Sequence, residues 1–143
     1  MRRRKRFIVG TTEALLLDTH TFLWAIFEPE RLSKAVRSWL TNPDMALHLS
    51  VASVWEMELK HRKGKLNADA SLVDANIQDL GVFPLPISLR HVRALGALNG
   101  SAAAAKHKDP FDRLIAAQAI AEKLPLVTAD PVFAEYSDIR VRW

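Results

Sequence analysis

Short apolar runs alternate with longer amphipathic segments along this chain, and that alternation restricts the folds open to it more than any other feature. Ala14-Leu15-Leu16-Leu17 has no polar face and is too short for a helix, as expected of a strand buried on both sides. Residues 46–49 and 126–128 read the same way, and 139–141 as a last short strand. Residues 82–87 make a weaker strand, which Pro84 and Pro86 push to a sheet edge. Between these runs, helical periodicity covers 21–27, 33–40, 50–63, 69–80, 88–98 and 109–123. Ser50 and Ser88 stand where N-caps belong, Gly64 and Gly81 where helices stop, and Asp109-Pro110 has the form of a helix opening. Residues 131–136 suit a helical turn, and 99–108, with an alanine run, a loop or frayed helix.

Strands separated by helices require right-handed crossovers, hence a parallel sheet covered on both faces. The expected fold class is one three-layer α/β/α domain over residues 14–143, with a central, mostly parallel sheet of four to five strands. The net charge of +4 says little about that domain. Residues 1–13 hold five basic groups against one acid, whereas residues 14–143 carry 15 of each sign. The basic run reads as a solvated, disordered arm. The chain has no cysteine, which excludes disulfides and thiolate metal sites. No apolar stretch is long enough to span a bilayer and no signal peptide is evident, so a soluble, cytoplasmic protein with no membrane partner is expected.

In open α/β sheets, sites form beyond the carboxyl ends of the strands. Asp18 follows the first strand directly, and Asp130 lies just past 126–128. Each also suits a helix N-cap, and singly the cap is the better reading. Asp112 shares a helix face with Ile115, Ala116 and Ala119, so its carboxylate points toward the sheet and needs a partner, a proton or a metal there. Asp109 fits the cap of that helix. On the helix after Ser50, Glu56 borders the apolar stripe and Glu58 lies nearer its centre; periodicity does not choose between them. Each could instead pair with a base one turn on, Lys60 or Arg62. Together, an oxygen-rich set of carboxylates selects hard cations such as Mg²⁺ or Mn²⁺, which activate water and neutralise a phosphodiester. The histidines show no metal-ligand spacing and read as surface or structural, with His20 and His107 nearest the proposed site. Glycine-rich phosphate loops and a G-x-S-x-G elbow are absent from the sequence.

Four blocks carry a family resemblance. They are Leu15-Leu16-Leu17-Asp18-Thr19-His20 with Phe22-Leu23-Trp24; Ser50-Val51-Ala52-Ser53-Val54-Trp55-Glu56 with Lys60 and Gly64-Lys65-Leu66; residues 107–119, His-Lys-Asp-Pro-Phe-Asp-Arg onward; and Leu126-Val127-Thr128-Ala129-Asp130-Pro131. In that order the chain resembles PIN-domain ribonuclease toxins of the VapC type. The resemblance implies a PIN fold and a Mg²⁺- or Mn²⁺-dependent endoribonuclease, the toxin of a type II toxin–antitoxin pair. It implies Asp18, Glu56, Asp112 and Asp130 as the catalytic, metal-holding acids, and so takes Glu56 over Glu58. It implies an RNA substrate, an antitoxin partner of the VapB type and a homodimer. Thr128 is expected to position water or phosphate, and Lys60 and Arg113 are weighed as phosphate contacts, with a surface ion-pair role the better reading of each. Trp24, Trp39 and Trp55 are more readily core than interface. The basic tail and the stretch from Ser101 to Lys106 depart from the family pattern without touching the four acids. The principal alternative is a non-catalytic PIN-like module that binds RNA or protein. A phosphotransfer domain is disfavoured by the lack of a second acid beside Asp18.

Overall fold

The computed structural model describes residues 13–98 and 102–143. The basic tail, apart from Glu13, and residues 99–101 lie outside them. Five strands, β1 (Glu13–Leu17), β2 (Met45–Ser50), β3 (Phe83–Leu85), β4 (Leu126–Val127) and β5 (Val141–Arg142), form one sheet in the order β3-β2-β1-β4-β5. Every neighbouring pair is parallel. β3 takes the edge that Pro84 requires.

The leucine run of β1 explains the layers. Leu15 and Leu17 face one core with Phe22, Val36, Leu47, Leu49, Met57 and Val73. Leu16 faces the opposite core with Ile115, Ala116, Ala119, Leu126 and Phe133. Helices α1 (Thr19–Phe27), α2 (Lys34–Thr41), α3 (Val51–Arg62) and α4 (Ala70–Leu80) supply the first core. Helices α5 (Leu89–Leu98), α6 (Ala102–Lys106) and α7 (Pro110–Glu122) supply the second. This is the expected α/β/α arrangement. Among the described residues, no helix is long and apolar enough to cross a membrane.

Local chemistry sets most helix ends. Ser33, Ser50, Asp69 and Asp109 each accept a backbone N–H from the first turn of the helix they cap. Gly81 closes α4 in the left-handed region at φ 63°, where a Cβ is unfavourable. α7 closes the same way on a non-glycine residue, Lys123 at φ 54°. The alanine run, expected as loop or frayed helix, forms the short helix α6. Two further expectations change. β1 starts at Glu13, one residue earlier than expected, paired in register with Met45 and bonded to Arg142. Trp24 and Trp39 do pack on the core, but Trp55 is 55% exposed and rests edge-on against Phe111.

The chain order β1-β2-β3 runs outward on one side of β1, and β4-β5 continue on the other. The connections therefore reverse direction between β1 and β4. A crevice outside the carboxyl ends of these two strands is where such a sheet places a ligand.

Candidate metal centre

Asp18 and Asp130 occupy that crevice, and both act as caps as well. Asp18 directly follows β1; its Oδ1 accepts the Thr21 N–H at 2.7 Å and so caps α1. Its Oδ2 accepts the Thr128 hydroxyl at 2.5 Å. Thr128 in turn accepts the Asp130 N–H at 3.0 Å, tying the ends of β1 and β4 together. The Thr128 hydroxyl, expected to position water or phosphate, bridges the two acids. Asp130 Oδ1 accepts the Val132 N–H at 2.9 Å and caps a 3-10 turn, Pro131–Glu135. In each aspartate one oxygen serves the backbone and the other faces a polar side chain. Asp18 is buried, and burial pushes its carboxyl above its ordinary value against the opposing hydrogen bonds from Thr128 and Thr21. A cleft of about 400 Å³ opens here, lined by Asp18, His20, Trp24, Arg31, Ala129 and Asp130.

Asp112 enters from the first turn of α7. Ligand atoms of Asp112, Asp130 and His107 all lie within 4.8 Å of one another. The Asp112 carboxyl is pushed up to about 6, first by burial and then by the carboxylates of Asp109, Glu56 and Asp130, with His107 opposing. Glu56 projects from α3 and is 3% exposed. Its Oε2 accepts the Lys60 ammonium at 2.8 Å. Its Oε1 is buried and finds no hydrogen-bond partner among the described residues. Glu58 lies outside the site, paired with Arg62 at the surface. The buried stripe of α3 is Ala52, Ser53, Glu56 and Met57, so Glu56 sits within it rather than at its border.

The structure thus joins Asp112 to Asp130, sets Glu56 within electrostatic reach of Asp112, and lets Asp18 and Asp130 share one cleft. An orphaned buried carboxylate oxygen and mutually repelling acids are what a hard divalent cation relieves, and an oxygen donor set is what it selects. The residues fit such an ion.

His107, which the sequence places near the site without a role, holds one in the structure. It is buried, its ring centroid 4.4 Å from that of Phe133. Nδ1 faces the Tyr136 hydroxyl at 3.1 Å and Nε2 faces Asp130 Oδ2 at 3.1 Å. Burial raises the Tyr136 phenol, which stays protonated beside Nδ1. A carboxylate only accepts, so Nε2–H donates to Asp130, the orienting bond that carboxylate ligands commonly receive. The sequence cues are its place at the head of the third family block and its position five residues ahead of Asp112. Arg113 Nε donates to the His107 carbonyl, and Asp109 Oδ1 accepts the Phe111 N–H at 2.8 Å, as its capping role predicts.

The sequence matches the family described as "PIN domain" over residues 15–139. No curated protein matches the chain. Among solved structures, the fold is similar to that of VapBC2 from Rickettsia felis bound to a DNA fragment from its promoter, with 19% identity and a TM-score of 0.69 over 90% of this chain and 97% of that one. FitAcB from Neisseria gonorrhoeae is similar at 23% identity and TM-score 0.58, covering 89% and 95% of the two chains. VapBC-5 from Mycobacterium tuberculosis, a member of a toxin–antitoxin family, is similar at 22% identity and TM-score 0.54, covering 90% and 98%.

Proposed function

The chain belongs to the PIN domain family, and from that premise we propose that it is a Mg²⁺- or Mn²⁺-dependent endoribonuclease, the toxin of a type II toxin–antitoxin pair. The observation that carries this reading is the Asp112–Asp130 pair, whose carboxylate oxygens lie within 4.8 Å of each other, beside the orphaned oxygen of Glu56. Acids that repel one another in a buried site destabilise a fold unless a cation uses them.

In this reading Asp18, Glu56, Asp112 and Asp130 hold the metal. The bound cation supplies a Lewis acid that lowers the pKa of water and neutralises charge on the scissile phosphate. Thr128 keeps Asp18 and Asp130 at a fixed spacing through its one hydroxyl. His107, held by Tyr136, fixes the rotation of the Asp130 carboxylate. Lys60 holds Glu56 Oε2 as its ion-pair partner one turn along α3. The products are a 5′-phosphate and a 3′-hydroxyl.

The likeness to VapBC complexes supports an antitoxin partner of the VapB type. A homodimer fits the exposed Trp55 edge-on against Phe111, an apolar surface beside the acids. Cleavage of total RNA with Mn²⁺, with Mn²⁺ plus EDTA, and by Asp112→Asn tests the activity. The wild-type chain should cut with Mn²⁺ and stop with EDTA, and the variant should not cut. Asp112→Asn cleavage at the wild-type rate under saturating metal would refute it.

A further inference from the structure

The cleft beside Asp18 and Asp130 has a second wall that the metal chemistry leaves unused. His20 and Trp24 lie one turn apart on α1, and Arg31 ends the 3-10 turn that follows. Arg31 Cζ stands 4.2 Å from the Trp24 ring centroid, a cation–π contact. Glu28 holds the same guanidinium at 3.2 Å, yet the Arg31 side chain is 52% exposed. Trp143 closes on Trp24 from the side, with centroids 5.7 Å apart and rings at 74°. A long, normally mobile side chain is thereby held over an indole, at the rim of an acidic crevice.

Each feature narrows the ligand. A simple anion site would not need an indole under the cation, and two carboxylates in the same lining disfavour a free anion. The cleft, about 400 Å³, is the size of a small-ligand site and admits one nucleoside. Trp24 lies six residues beyond Asp18, ~9 Å along the axis of α1, which suits a base whose own phosphate sits at the acids. Unpaired bases are taken up by proteins on aromatic rings and guanidinium planes.

We propose that Trp24 and Arg31 form a stacking platform for one unpaired nucleobase of the RNA, next to the scissile phosphate. This rests on the ribonuclease reading and adds a base-binding subsite to it.

The test uses the full-length Asp112→Asn chain, so that RNA is bound but not consumed. The probes are a short fluorescein-labelled oligouridylate and an abasic ribose-phosphate oligomer of the same length, followed by fluorescence anisotropy. Arg31→Lys keeps the charge and loses the plane. It should weaken oligouridylate binding about tenfold, the loss of one stacked base, and change abasic binding by less than about twofold. Trp24→Leu, checked by thermal unfolding, should behave likewise; because Trp24 packs on the core, Arg31→Lys keeps the proposal testable if that variant does not fold. Equal losses on both probes would make Arg31 a phosphate contact and overturn the proposal. So would unchanged binding of both, or an absence of oligouridylate binding. Failure of the ribonuclease reading would show separately, as wild-type protein that does not cut RNA with Mn²⁺.

Discussion

Replacing Asp112 by Asn should stabilise the metal-free protein while abolishing its chemistry. The carboxyl is pushed from 3.8 up to about 6 by burial and by the acids of Asp109, Glu56 and Asp130. Its folded-state pKa therefore exceeds its unfolded one. Between these values the native chain binds more protons than the unfolded chain, so stability falls as pH rises through that window. The loss is complete once pH exceeds the folded value. A rise of this size corresponds to ~3 kcal/mol for a group fully shielded from solvent. Asp112 is only partly buried, and screening by water reduces this to ~1–2 kcal/mol. For a domain of this size that is ~3–8 °C in Tm.

Thermal unfolding in EDTA, from pH 4 to 8, reads the difference between Asp112→Asn and wild type directly. The gap should be near zero at the acid end and reach its full ~3–8 °C above neutral pH. Groups that titrate alike in both proteins cancel. Saturating Mn²⁺ should then raise the wild-type Tm and scarcely move the variant, because binding to the native state alone adds stability. A variant less stable than wild type at pH 7.5 in EDTA, or a gap independent of pH, would refute the claim that these carboxylates strain one another without a cation.

Two other substitutions probe the scaffold. His107→Ala removes the donor to Asp130 and the partner of Tyr136, and should lower Mn²⁺ affinity ~10–100-fold by isothermal titration; unchanged affinity would make His107 purely structural. Lys123→Gly should raise stability by ~0.5–1 kcal/mol in urea unfolding, because Lys123 holds a left-handed C-cap at φ 54°; a drop would mean that its side chain packs more favourably than the strain costs.

The layers are legible in the sequence because strand and helix periods do not mimic one another here. The three leucines of β1 alternate between two cores, which explains why a run without polar positions marks a strand covered on both faces. Serine, aspartate and glycine at helix ends speak for themselves, since their capping chemistry is local. What periodicity handles worst is α3. Its large apolar residues Val51 and Trp55 are exposed, and its buried stripe holds Ser53 and Glu56 instead. A helical wheel assumes that burial follows hydrophobicity. Here the helix turns a carboxylate inward and leaves a tryptophan outside, so the wheel centres on the wrong face and sets Glu58 nearer the middle than Glu56. His107 escapes for a related reason. Its importance lies in bonds to Tyr136 and Asp130, which are 29 and 23 residues away, and no local pattern encodes such partners.

The ambiguity over Asp18 and Asp130 has a physical resolution. Cap and site are not rivals, because a carboxylate has two oxygens. Oδ1 of Asp18 fixes the start of α1, and Oδ1 of Asp130 fixes the start of the 3-10 turn. That anchoring aims each Oδ2 at Thr128 or His107. The helix starts thus set the rotamers of the acids before any cation arrives. Preorganisation of this kind limits the ordering a ligand must impose. It also means that the Asn variants of these two aspartates keep an oxygen able to cap, so a loss of metal binding in them reports on charge rather than on a collapsed helix end.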